Sequence, residues 1–189
     1  MPKVAIPDDV NVNKSPEVSG LVQRKVGLAS TAVAATQTSG SAVALASGSL
    51  TDPPSDEADR GVVATLAGGG TPGDYVVTGT YNGEEVSETI TTVAGSDVYG
   101  DQPFDTFSSI AGPDPAADLD FALGDVFAYP PARALWTGPT GGSVQVQLEK
   151  EEALQVVASL PASFDWDRRI RRIRPASTTI PTGEAYLVW

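Results

Sequence analysis

The pair Asn82-Gly83 constrains this chain more than any other two residues. On either side run residues that favour strands, from Asp74 to Tyr81 and from Glu84 to Val93. Both central positions of a type I′ turn need φ > 0, which asparagine and glycine tolerate, so Asn-Gly between β-formers predicts a hairpin. A two-residue loop sets the register, with Tyr81 opposite Glu84 and Val77 opposite Glu88. Counting by twos, one face carries Tyr75, Val77, Tyr81, Val86 and Ile90. The other carries Val76, Thr78, Thr80, Glu85, Ser87, Thr89 and Thr91. An oily face backed by a wet one suits an antiparallel sheet that covers a core on one side. Glu88 falls on the oily face, and we expect it near a rim or paired.

The remaining sequence repeats this theme. Its 19 glycines and 15 prolines punctuate short β-rich runs, and no amphipathic helix of three turns is visible. Strands are expected within Ser41–Leu50, Gly61–Leu66, Phe104–Ile110, Leu119–Val126, Ala134–Trp136 and Ser143–Leu148. Leu154–Leu160, Asp165–Ile173 and Ala185–Trp189 follow. Gly68-Gly69-Gly70-Thr71-Pro72-Gly73 and Gly138-Pro139-Thr140-Gly141-Gly142 are turns. Tyr129-Pro130-Pro131 interrupts the strand pattern and marks the expected domain boundary. Short strands at this spacing imply an all-β chain of β-sandwiches or small barrels, one over residues 31–131 and a smaller one over 132–189.

Residues 1–30 read as an extended arm. Pro2, Pro7 and Pro16 are spread through it, and Asp8-Asp9-Val10-Asn11-Val12-Asn13 alternates only briefly. Such a segment can order by adding a strand to an open sheet edge. Val4, Ile6, Val10 and Val12 are its candidate contacts with a partner subunit.

Charge narrows the function. The net charge is −12, and between Thr51 and Asp125 fifteen acidic residues face a single base, Arg60. A body this acidic repels a phosphate backbone, so nucleic acid is not an expected partner. Cysteine and histidine are both absent, which removes disulfides, thiolate zinc sites and Ser–His or Cys–His nucleophiles. No apolar run approaches the ~20 residues that span a bilayer, so no membrane partner is expected. The opening Met1-Pro2-Lys3-Val4 lacks a signal-peptide core.

The candidate constellations are mostly structural. Gly68-Gly69-Gly70-Thr71 has no following Gly-Lys-Ser/Thr and opens no helix, so it is a turn and not a phosphate cradle. Asp114, Asp118, Asp120 and Asp125 could offer oxygens to calcium, but the EF-hand spacing is missing and a solvated acidic loop is the simpler reading. Glu84/Glu85, Glu151/Glu152 and Asp165/Asp167 are paired acids, yet adjacent strand residues point to opposite faces. No catalytic residue, cofactor or metal is therefore expected. Five of the twelve bases are Arg168, Arg169, Arg171, Arg172 and Arg174. Either they form a subunit contact, since guanidinium forks pair with carboxylates, or they pair within the chain with Asp165, Asp167 or Glu184. Ile170 and Ile173 have opposite strand parity, which requires a bulge between them or two covered faces. Trp189 closes the apolar strand Ala185–Trp189 and is expected to be buried in a sheet or against a neighbour.

Two stretches carry a resemblance. Asp74 to Thr91, Asp-Tyr-Val-Val-Thr-Gly-Thr-Tyr-Asn-Gly-Glu-Glu-Val-Ser-Glu-Thr-Ile-Thr, with Phe107-Ser-Ser-Ile110, is similar to an immunoglobulin-like repeat of structural proteins in tailed phages and gene-transfer particles. Gly141 to Trp189 resembles the terminal module of phage head-spike-base and capsid-decoration proteins. That module joins an arginine-rich strand, a small-residue turn and an aromatic end, matched here by Arg168–Arg174, Ser177–Gly183 and Tyr186-Leu187-Val188-Trp189. Ser177 stands where glycine is usual, and Ile180-Pro181 where small residues are.

The resemblance implies a non-enzymatic virion component whose domain 31–131 is an immunoglobulin-like β-sandwich. It would decorate or cement the capsid exterior, or form a spike base, after assembly in the bacterial host cytoplasm. Its partners would be the major capsid protein and further copies of itself, a trimer being one symmetric option. A second reading is a tail, neck or fibre component, including a receptor-binding one, for which Trp136 and Trp166 are the candidate sugar platforms. An enzyme or carbohydrate-binding module is the third.

Overall fold

The computed structural model describes residues 23–26, 31–51, 59–150, 153–163, 165–166, 168–175, 178–180 and 185–189. Within them lie β1 (Gln23–Val26), β2 (Val43–Ala46), β3 (Arg60–Leu66), β4 (Asp74–Tyr81), β5 (Glu84–Thr91), β6 (Ser96–Tyr99) and β7 (Thr106–Gly112). After them come β8 (Leu119–Ala132), β9 (Ala134–Thr137), β10 (Gly142–Leu148), β11 (Gln155–Leu160), β12 (Asp165–Trp166), β13 (Ile170–Arg174) and β14 (Ala185–Val188). The chain is all-β, as its composition implies. Its antiparallel strands form sheets ordered β2-β7-β4-β5, β11-β10-β13-β8-β3-β6 and β1-β14-β9-β12. No helix among the described residues is long and apolar enough to cross a membrane.

The β4–β5 hairpin follows from its turn. Asn82 and Gly83 take φ of 53° and 79°, and the ladder pairs Tyr81 with Glu84 and Val77 with Glu88. Tyr75, Val77 and Ile90 are buried, while Val76, Glu85, Ser87, Thr89 and Thr91 face solvent. The buried face packs with Phe107 and Ile110 of β7 onto Val62, Leu66, Phe121 and Leu123 of the six-stranded sheet. Tyr75 meets Phe121 edge-on, with ring centroids 5.8 Å apart. Each fully buried side chain of this size contributes about 1.5–3 kcal/mol.

A second core forms on the other half of the same sheet. Val126, Val144, Val146, Ile170 and Ile173 pack there against Leu135, Ala185 and Leu187 of the β1-β14-β9-β12 sheet. The two cores are thus sandwiches lying side by side under one shared sheet, and β8 contributes to both.

Three expectations change. The break at Tyr129-Pro130-Pro131 does not end a strand, because β8 runs on to Ala132. β8 uses Phe127 to Ala132 where its partner β13 uses only Arg172 to Ile170, so the prolines lie in a wide irregularity. That is where a strand tolerates residues with no N–H to give. The cores divide earlier, between Leu123 and Val126. The single strand expected over Asp165–Ile173 is two: β12 pairs β9 in one sheet, and β13 pairs β8 and β10 in another. Finally, Gln23–Val26, inside the expected arm, pairs with β14. The arm contacts Val4, Ile6, Val10 and Val12 lie outside the described residues.

Candidate functional site

The densest polar arrangement sits where the cores meet. β8 bulges against β3 at this point: Val62 pairs with Leu123 and Arg60 with Val126, so two residues on β3 span three on β8. Gly124 and Asp125 together stand opposite the single Gly61. A bulge drops backbone groups out of the ladder and bends the strand. Glycine is required because a Cβ at 124 would stand 2.8 Å from the carbonyl carbon of Val62. The carbonyl of Gly124 is satisfied by Arg60, whose Nη2 donates at 3.0 Å and Nε at 3.2 Å. Arg60 is completely buried.

Asp125, on the bulge, is also fully buried. Arg174 reaches it as a fork, Nε donating to Oδ1 at 3.0 Å and Nη2 to Oδ2 at 2.9 Å. Arg172 Nε also donates to Oδ2. The same guanidinium donates to Gly100 O at 2.8 Å and to Asp101 Oδ1 at 2.5 Å, tying β13 to the end of β6. Aromatic faces cover both cations: Arg172 lies 4.9 Å from the centroid of Phe127, and Arg174 3.8 Å from that of Tyr99. Burial, more than the nearby Asp97, pushes the Tyr99 phenol up from its usual pKa.

Glu88 borders this network. It is half-buried, and its carboxylate accepts from the amides of Asp101 and Gln102. Burial raises its pKa and outweighs those two hydrogen bonds. The hairpin register thus places Glu88 at a rim with partners, as expected.

The five arginines divide. Arg172 and Arg174 are claimed by Asp125, a partner not among those weighed from the sequence. Arg169 donates to Glu149 at 3.0 Å and remains largely exposed. Arg168 and Arg171 are exposed. The parity problem resolves as a bulge: β10 steps from Gln147 to Leu148 while β13 steps from Arg172 to Ile170, leaving Arg171 over. Both Ile170 and Ile173 therefore enter the C-terminal core. Trp189 packs against that core, and its Nε1 donates to Pro130 O at 2.7 Å.

The aspartates once grouped as a calcium loop are dispersed. Asp114 accepts from the amides of Gly40 and Ala116, Asp120 from the Thr36 hydroxyl, and Asp125 is buried in a strand. Among the described residues no three acidic side chains gather as a metal site. Asp125, overlooked as a hub, did carry a signal: it interrupts the apolar run Phe121-Ala-Leu-Gly-Asp-Val-Phe127, and a buried acid needs paired cations.

Three guanidinium N–H groups from β13 converge on Asp125 of β8, and the arrangement acts as a clamp between two cores. The molecule is thus defined as a two-core, all-β protein braced by an internal arginine–aspartate cluster. Comparison with protein-family models, curated proteins and solved structures gives no match.

Proposed function

We propose that the chain is a bacteriophage virion structural protein of the capsid surface, a head decoration (cement) or spike-base protein that binds and stabilises capsid subunits. The observation that carries this reading is that each phage-like stretch coincides with a set of neighbouring strands. Asp74–Thr91 is the β4–β5 hairpin, and the Phe107–Ile110 stretch lies on β7, the other neighbour of β4. Gly141–Trp189 supplies β10 to β14 and most of the C-terminal core. A module-level likeness is what a shared architecture leaves when sequence has drifted.

The physical properties suit the role. Two cores under one sheet make a stiff plate, and an acidic outer body resists non-specific clumping at high local density. Arg168 and Arg171 are exposed and would meet carboxylates on a capsid subunit. A contact of about 1,600 Å² suffices for specific docking, and repetition over a shell adds avidity. The test is microscopy of purified phage particles carrying a label on this protein. Density distributed over the head, or at its vertices, is expected; label confined to the tail would move the chain to the tail or fibre class.

A further inference from the structure

β5 is the longest strand among the described residues that pairs on one side only. Its geometry shows which groups are open. In a two-residue hairpin the pairs alternate between hydrogen-bonded and non-bonded, starting bonded at Tyr81 and Glu84. Two contacts fix that phase: Thr92 N donates to Gly73 O in the continuation of the ladder, and Thr80 O turns away to accept from Asp105 N. The amides of Glu85, Ser87, Thr89 and Thr91 therefore point outward, and they have no partner among the described residues. β5 carries no proline, bulge or lysine, and its edge is guarded only by Glu84, Glu85 and the inward Glu88.

We propose that this edge is completed by residues Asp8–Ser15 of a second copy of the chain. The window is bounded by Pro7 and Pro16, contains neither proline nor glycine, and has the length of β5. Proline is excluded from a paired strand interior, so these boundaries mark the part of the arm that can join a ladder. Its alternation fits both faces of the acceptor. Val10 and Val12 would extend the row of Val86 and Ile90, and Asn11 and Asn13 the row of Ser87 and Thr89. The window carries Asp8, Asp9 and Lys14, so its fit to a strand holding Glu84, Glu85 and Glu88 rests on length and alternation and not on charge.

A second copy is favoured over the chain's own arm. Residues 16–22 join the window to β1, which lies in the sheet of the C-terminal core, and no strand neighbours both β1 and β5. Arm-to-edge exchange is head-to-tail, so copies would close into a ring or run as a filament. The inference stands on strand geometry alone; its failure leaves the capsid reading open, and label on the tail leaves self-association open.

Sedimentation velocity of the full chain, of a variant lacking residues 8–15 and of Ser87→Pro tests it. Proline at 87 removes an outward amide and keeps the ladder to β4, so its melting curve should match that of the variant lacking residues 8–15. Both changes are expected to weaken association roughly tenfold or more. A peptide of residues 5–18 should bind the shortened chain but not the shortened chain carrying Ser87→Pro. A parent that stays monomeric, or association untouched by either change, overturns the proposal. Loss on shortening alone removes β5 as acceptor, and loss with Ser87→Pro alone removes the arm as occupant. Should Ser87→Pro unfold, hydrogen exchange decides: the amides of 85, 87, 89 and 91 should exchange slowly in the parent and fast in the shortened chain, and equal rates refute the exchange.

Discussion

Around the hairpin core, from residue 31 to 125, the only base is Arg60, and it is buried. Around the C-terminal core, arginines stand on β13 and just before it. Several carboxylates of the first region are held by neutral donors, while Asp101 and Asp125 meet arginines of β13. Asp105 accepts from the Asn82 amide at 2.6 Å, Asp74 from the Thr91 hydroxyl at 2.6 Å, and Asp97 from the Thr65 hydroxyl at 2.7 Å. The second uses guanidinium donors, as in Arg169, whose Nη1 donates to both oxygens of Glu149. Neutral donors hold an acid in place without cancelling its charge, so the hairpin region keeps a surface of one sign. Asp125 is where the two regimes meet: an acid at the end of the acidic stretch, held by cations from the other core.

That contrast can be broken at its hinge. Asp125→Ala leaves Arg172 and Arg174 without their shared acceptor in a largely buried place. A loss of about 3 kcal/mol or more is expected in urea unfolding, because stripping one member from a buried pair strands the others. Gly124→Ala acts beside it by pressing a methyl group on the Val62 backbone and forcing β3 from β8. The expected cost is about 1–3 kcal/mol, read the same way, with a matching change at Gly83 serving as a turn control away from the hinge.

The smallest effect sharpens the comparison from the acidic side. The folded pKa of Glu88 lies above the ordinary 4.5, so the native chain holds this proton more tightly than the unfolded one. Its contribution to stability is complete below that ordinary value and is lost as pH rises through the raised one. Melting temperatures of Glu88→Gln should lack this component, declining less than the parent's between about pH 4 and 7. Parallel curves for the two proteins would show that the carboxyl does not titrate as its burial requires.

Much of the fold was legible because local chemistry fixes it. Asn82-Gly83 sets turn type and register without help from the rest of the chain, and the alternation of Tyr75, Val77 and Ile90 names the buried face. Long-range choices left weaker traces. Nothing between Asp165 and Ile173 announces that β12 and β13 join different sheets. Tyr129-Pro130-Pro131 looked like a boundary because prolines usually end strands, and only the slack pairing with β13 lets β8 continue. The arginines were visible as a group, but their division into clamp and surface depends on Asp125, forty-seven residues from Arg172.

Scanning calorimetry of the intact chain measures the shared sheet most directly. If β8 and its bulge bind the cores into one unit, the protein melts in a single transition whose calorimetric and van't Hoff enthalpies agree. Two separate transitions in the parent protein would contradict that union and return the molecule to two independent domains.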